Sequence, residues 1–227
     1  VLRHKGFIPW DDDIDIGMPR KDFDLFHDLL KKEMPDGFGI CNRYTDTDWN
    51  FAMSQFIDLQ SEIEINLTEK PRKAHIWIDI FPLDGMPDDE KIIEKKFKKI
   101  KFYKTVLLTA YSESGKGASW YATLAKRFLI PICKRLNTEK LCNKLNDISK
   151  EFSISESPYV GGFLWGYGPQ EKMPKEFLEQ VNVEFEGHSF PAPKCWNFYL
   201  KQLYGDYMQL PPVEKRISHD FDVWIKE

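Results

Sequence analysis

Cysteine is scarce and unpatterned in this sequence. Cys41, Cys133, Cys142 and Cys195 are scattered, with no Cys-x-x-Cys spacing. This argues against a zinc site or a dense disulfide framework and fits reduced thiols in a cytosolic protein. Long apolar runs are lacking too: "FLIPIC" falls far short of the roughly 18 to 20 residues that span a membrane, and it contains Pro131. There is no excess of positive charge. The net charge of −4 gives no global basic field for nucleic acid. Internal repeats and low-complexity linkers are also missing; no secretory leader is visible, but the sequence opens on "VLRHKG" and not on Met, so this excludes little.

What is present suffices for one sizeable core or a core plus a helical lobe: 227 residues, 42% hydrophobic and 15% aromatic. The first strand is expected at "DIDIG", ended by Gly17 and Pro19. "KDFDLFHDLLKKEM" follows as a helix with Phe23, Phe26, Leu29 and Leu30 on one face and Asp22 near its positive end. Pro35-Asp36-Gly37 stops it. "FGICNRY", "FAMSQFIDLQSEIEI" and "HIWIDIF" read as strands in an antiparallel run, the last ended by Pro82. Helical spacing then takes over in "DDEKIIEKKFKKIKFYKTVLLTAY", "SWYATLAKRFLIPICKRL" and "TEKLCNKLNDISKEF". The remainder returns to short strands and turns, with one short helix over "KCWNFYLKQLYG". The expected fold is α+β: a small mixed sheet over 1–87, a helical region over 88–151 and a strand-and-turn region over 152–227.

The stretch "PWDDDIDIG" poses the functional question. Crowded carboxylates raise one another's pKa, and burying them without partners costs several kcal/mol, so a positive group is expected there. In an extended strand Asp11, Asp13 and Asp15 would share a face while Ile14 and Ile16 point to the core. Asp12 would then face the core as well, which is costly. Pro9-Trp10-Asp11-Asp12 therefore reads as a turn, with the strand starting near Asp13. Two same-face carboxylates suit a hard divalent cation such as magnesium, bound through one or two carboxylates and substrate phosphates. An Asp-x-Asp pair alone is commonly a solvated loop feature. The apolar alternation around this one sets it apart, as does Asp79, which sits between isoleucines on a second strand and offers a third carboxylate. Glu62 and Glu64 in "SEIEI" are alternatives for that role. A calcium-binding EF-hand is excluded, because its glycine position holds Ile16 and its final glutamate position holds Asp22.

These residues resemble a known family. "RHKGFIPWDDDIDIGMPRKDFDLF" is similar to the signature of the LicD family, a branch of the nucleotidyltransferase superfamily, and "IDIFPLDGMP", "FEGHSFPAP" and "LYGDYMQLPP" follow as family-like blocks in family order. The resemblance implies a nucleotidyltransferase-like sheet. It also implies transfer of a phospho-alcohol, such as phosphocholine or ribitol phosphate, from a CDP-activated donor such as CDP-choline. The acceptor would be a hydroxyl of a cell-surface glycan or its lipid-linked precursor, as in lipopolysaccharide or teichoic acid synthesis. Magnesium, or manganese in its place, would be held by Asp13, Asp15 and Asp79, with Asp11 at an acidic position of less defined role. Asp79, favoured over Glu62 and Glu64 by its family block, would also help deprotonate the acceptor. The family carries a Gly-rich turn just upstream of the position of "VLRHKG", so this segment is expected to be missing. Arg3, His4 and Lys5 remain as cationic contacts to a diphosphate, or as a frayed basic terminus.

Other features have two readings each. The lysines of "KIIEKKFKKIKFYK" and the cations flanking "RFLIPICKR" are either solvated helix faces or a peripheral surface for an anionic, lipid-linked acceptor. Trp10, Trp165 and Tyr167 are core aromatics or members of a cage for a quaternary ammonium, and Trp10 is also a substrate-binding candidate through its place beside the acidic strand. His188 and His219 are surface histidines or phosphate contacts, and Asp206 is a capping residue. The CDP donor implies a cytoplasmic reaction at the inner membrane face. Competing functions are a nucleotide-sugar glycosyltransferase built on the same Asp-x-Asp chemistry, and a non-catalytic nucleotide-binding relative.

Overall fold

The computed structural model describes residues 2–11, 13–42, 53–65, 72–111, 120–166, 168–216, 218 and 221–225. Among these, strands β1 (Asp15–Pro19), β2 (Phe38–Cys41), β3 (Ser54–Ile65), β4 (Arg72–Met86), β5 (Tyr159–Gly161) and β6 (Met173–Pro174) join one mixed sheet, together with β9 (Phe221–Ile225). A separate hairpin pairs β7 (Gln180–Phe185) with β8 (His188–Pro193). Among the described residues the α-helices are α1 (Arg20–Leu30), α2 (Glu90–Tyr111), α3 (Trp120–Cys133), α4 (Thr138–Ser149) and α5 (Trp196–Tyr204). The mixed sheet and the helical middle of the chain agree with the expected α+β class.

Strand β4 organises the sheet. Its first half pairs antiparallel with β3, Asp79 to Leu83 run parallel to β1, and its end pairs antiparallel with β5. Pro82 therefore does not end this strand, contrary to the sequence-based expectation. It falls between the last β3 partner, at Ile80, and the first β5 partner, at Asp84, and it lies opposite Met18 of the parallel neighbour. A missing N–H is tolerated where no antiparallel partner needs it. Strand β9, not anticipated from the sequence, returns to pair with the far end of β3.

Helix α1 buries Phe23 and His27 and meets β3 through Phe26, beside Phe56, and His27, beside Ser54. Leu29 is 53% exposed and does not share that face, because at 3.6 residues per turn it lies about 120° from the stripe. Buried His27 takes its place. Its Nδ1 lies 2.6 Å from the Phe23 carbonyl and its Nε2 2.6 Å from Ser54 Oγ. A carbonyl only accepts, so Nδ1 carries the proton and Nε2 accepts from the serine. Burial lowers the pKa of His27 and favours this neutral form.

The alternation of β4 sends Met86 into the main core. There it meets Ile93, Phe97, Ile100 and Leu107 of α2, Leu145 and Ile148 of α4, and Phe163. Burying each such side chain contributes about 1.5–3 kcal/mol. Asp84 is also buried on β4, and Arg20 meets it with both prongs, Nε to Oδ1 at 2.8 Å and Nη2 to Oδ2 at 2.7 Å. The same guanidinium donates to Asn146 Oδ1 and Ser149 Oγ. One arginine thus ties the start of α1 to the sheet and to the last turns of α4. Most lysines of α2 are solvated, as a hydrophilic helix face would be, but Lys96 is buried and Lys104 half-buried.

Candidate active site

Three neighbouring strands bring the key carboxylates together. Asp15 opens β1 directly opposite Asp79 of β4, and Asp79 faces Gln55 of β3. Register partners point to the same side of a sheet, so the three side chains form a row. Asp79 accepts hydrogen bonds from Gln55 Nε2 at 2.9 Å and Trp77 Nε1 at 3.0 Å, and its N–H donates to the Ile14 carbonyl at 3.0 Å. These contacts fix both the carboxylate and the strand edge that presents Asp15. Glu62 and Glu64 lie at the other end of β3, beyond a register shift and opposite β9, away from the Asp15–Asp79 row.

The turn before β1 forms as expected, with the Asp11 N–H donating to the Ile8 carbonyl at 2.9 Å. Regular pairing starts at Asp15, two residues later than anticipated, and Asp12 lies outside the described residues. Ile14 is half-buried, but Ile16 is 39% exposed and does not point into the core. Among the described residues β1 pairs with β4 alone and so lies at an edge of the sheet.

Charge accumulates in this row. The pKa of Asp15 is raised to about 6, first by loss of solvation and then by Asp13, Asp79 and Asp11. Asp15 keeps an exposed surface, yet the protein around it displaces enough water for desolvation to lead. Asp79 is raised as well, chiefly by burial and further by Asp13, while its bonds from Gln55 and Trp77 act in the opposite direction. Asp13 is exposed beside both.

Among the described residues, no three His, Cys, Asp or Glu side chains stand close enough to form a ready-made metal cage. What the site offers is an oxygen-only donor set whose members repel one another, Asp13, Asp15 and Asp79, with Asp11 acting on Asp15. Such a set fits a hard divalent cation that takes one or two carboxylates and fills its other positions with phosphate oxygens and water.

A cavity of about 740 Å³ opens beside Asp15. Its walls include Phe81 of β4, Trp165, Glu171 in a short 3-10 turn (Pro169–Glu171), and Tyr199 and Tyr204 of α5. Phe81 and Trp165 are in tilted contact, with ring centroids 5.1 Å apart. The indole of Trp165 folds over Gly162, where a β-carbon would collide with it, and its Nε1 has no hydrogen-bond partner among the described residues. Gln202 of α5 donates to the carbonyls of Gln170 and Lys172, which fixes the helix wall to the 3-10 turn. Of the aromatic cage candidates, Trp165 lines this cavity. Trp10 does not: its ring carries the Arg216 guanidinium at 4.9 Å, with His4 edge-on at 6.3 Å. Tyr167 and His219 lie outside the described residues.

The N-terminal cations are turned towards the C-terminal part of the chain. Arg3 donates to the carbonyls of Tyr207 and Gln209, and Lys5 pairs with Glu184 at 3.1 Å. Neither of them, nor His4 or Trp10, lines the cavity at Asp15. The backbone beside them is interlocked, with the Glu186 N–H on the Lys5 carbonyl and the Phe7 N–H on Glu186 Oε1. Gly6 makes that approach possible, since a β-carbon there would run into the Glu186 carboxylate. Asp206 accepts from the Met208 N–H, the structural role expected of it.

Sequence reasoning missed Phe81, Glu171, Tyr199, Tyr204 and the Arg20–Asp84 clamp. For the clamp a signal was available, since both residues stand in the stretches that carry the family resemblance, "GMPRKDF" and "IFPLDGM".

Comparison with known proteins gives one consistent result. The family model described as LicD/FKTN/FKRP, nucleotidyltransferase domain, matches residues 1–135. The lipopolysaccharide cholinephosphotransferase LicD of Haemophilus influenzae is 33% identical over 233 aligned residues, covering 96% of this chain and 82% of that protein. No solved structure gives a significant match. With the acidic row in the stretch the family model covers, and a relative aligned along nearly the whole chain, this protein belongs to the LicD family.

Proposed function

We propose that this protein transfers phosphocholine from a CDP-activated donor to a hydroxyl of a surface glycan or its lipid-linked precursor. The observation that carries the reading is the Asp15–Asp79 register pair with Asp13 beside it, in a chain one-third identical to a lipopolysaccharide cholinephosphotransferase. The reaction is placed in the cytoplasm, where a CDP donor is available, at the inner membrane face. Among the described residues no helix is long and apolar enough to cross a membrane.

Asp13 and Asp15, with Asp79 and Asp11 at hand, would hold magnesium or manganese. The ion would offset the carboxylates and the diphosphate and make the phosphorus more electrophilic. Asp79 is the proton acceptor in this reading. Burial makes its carboxylate more basic than usual, and Gln55 and Trp77 hold it in one orientation. The acceptor oxygen bonds to the phosphorus that bears choline, and the bond from that phosphorus to the bridging oxygen breaks. CMP leaves, and the hydroxyl proton passes to Asp79.

The test is calorimetric titration with CDP-choline, with and without magnesium, on the wild type and on Asp13→Asn/Asp15→Asn. Magnesium-dependent binding that disappears in the variant is expected. Equal binding by both proteins would refute the assignment of the acidic row.

A further inference from the structure

The cavity beside Asp15 has a composition that the acidic row does not explain. Four aromatic residues stand in its walls, and so does Glu171, which is 2% exposed. Lys104 also lines the cavity; its ammonium donates to the Leu164 carbonyl at 2.9 Å and lies in the field of Glu171, while burial lowers its pKa. The walls therefore hold two carboxylates, Asp15 and Glu171, against one lysine. Tyr199 lies within the field of both acids, and burial together with Glu171 raises its pKa, so it remains a neutral phenol.

We propose that this cavity is a quaternary-ammonium subsite in which Trp165, Tyr199, Phe81 and Tyr204 present aromatic surfaces to the trimethylammonium group and Glu171 supplies the counter-charge. The inference rests on the phosphocholine-transfer reading and adds to it the residues that recognise the alcohol.

A cation within about 6 Å of an aromatic centroid is attracted to the ring face, by up to about 2 kcal/mol once both are desolvated. A trimethylammonium group has no N–H, so apolar walls such as Leu107 and Leu164 leave none of its donors unsatisfied. A primary ammonium is more strongly hydrated, and its three N–H donors find no acceptor on the aromatic and aliphatic faces, so it costs more to desolvate there. Finally, the cavity opens at Asp15, so the head group would extend from the phosphate bound at the acidic row into the aromatic walls. The rival occupant of an aromatic cavity is the cytosine ring, and the two make different predictions.

Affinities would be measured for CDP-choline, CDP-ethanolamine, CMP and tetramethylammonium on the wild type, Trp165→Ala, Trp165→Phe and Glu171→Gln. The wild type is expected to bind CDP-choline about tenfold more tightly than CDP-ethanolamine, which corresponds to about 1.4 kcal/mol. Trp165→Ala and Glu171→Gln should each remove most of that preference and weaken tetramethylammonium while leaving CMP unchanged. Trp165→Phe should restore it. Unchanged CMP binding also shows that the variants are folded. Loss of CMP in parallel with CDP-choline would assign the cavity to the base and overturn the subsite, as would a wild type that prefers neither donor and ignores tetramethylammonium. If no cytidine ligand bound but tetramethylammonium still did, and was lost in Trp165→Ala, the cation subsite would stand and the proposed donor would fall.

Discussion

Replacing Arg20 by methionine should destabilise the protein by about 3–5 kcal/mol, the usual cost of breaking a buried ion pair from one side. The geometry supports a value near the upper half of that range. Arg20 makes two charge-assisted bonds to Asp84, at 2.8 and 2.7 Å, and Asp84 is only 1% exposed, so water cannot replace the lost partner. Two weaker bonds, to Asn146 at 3.2 Å and Ser149 at 3.1 Å, disappear as well. In a chain of this size each kcal/mol corresponds to about 2–4 °C in Tm, so a loss of about 4–5 kcal/mol means a fall of roughly 8–20 °C. Urea unfolding followed by circular dichroism would measure the cost. The companion is the double variant Arg20→Met/Asp84→Leu, which removes the charge along with its partner and should recover most of the loss. A single variant within about 1 kcal/mol of wild type, or a double variant as unstable as the sum of its parts, would refute the argument. Catalysis should suffer too, because β1 runs directly into α1 and the clamp helps keep Asp15 opposite Asp79.

Other perturbations have equally definite outcomes. Asp15→Asn and Asp79→Asn should each lower phosphocholine transfer by at least about 100-fold in a radiolabelled-donor assay, with Asp15→Asn no less stable than wild type because repulsion falls; near-normal turnover would exclude both roles. His27 has a lowered pKa in the folded state, so below the unfolded value of about 6.5 the unfolded chain takes up more protons. Its contribution to stability is therefore complete above that pH and declines as pH falls, and His27→Gln should flatten the fall in urea midpoint between pH 7.5 and 5.5; parallel profiles would contradict this. Lys96 is buried against Phe152 and Phe163, and its pKa is lowered to about 8 by burial despite Glu151. Lys96→Met should accordingly stabilise the fold by on the order of 1–3 kcal/mol in urea at pH 7, and a loss of stability would show that the cation's ring contacts outweigh its desolvation.

Local physics made much of this legible from the sequence. The helices announced themselves by periodicity, and Asp79 by the expense of a carboxylate between Ile78 and Ile80. The alternation of "DIDIG" located the acidic row but misjudged its surroundings: alternation cannot reveal whether the opposite face is covered, and Ile16 is exposed. Pro82 misled for a related reason: whether a proline ends a strand depends on which partners stand opposite, and those come from Asp15–Pro19 and Tyr159–Gly161, far away in the chain. The pairing of Asp15 with Asp79, the Arg20–Asp84 clamp and the placement of Glu171 are long-range facts of the same kind. Nothing near Glu171 in the sequence distinguishes it from a surface glutamate.

The interlocked backbone at Lys5, Phe7 and Glu186 bears on how the protein can be divided. The family model ends at residue 135, which invites a fragment cut there as a minimal enzyme. Such a fragment would lose Glu184, Glu186, Tyr207 and Gln209, which hold the segment leading into the acidic turn, and Trp165, Glu171 and Tyr199, which wall the neighbouring cavity. It would also strip β5 from the end of β4. The C-terminal stretch thus holds the acidic turn and walls the neighbouring cavity, and on the proposed function a library that searches for altered donor preference belongs there as much as in the acidic signature itself.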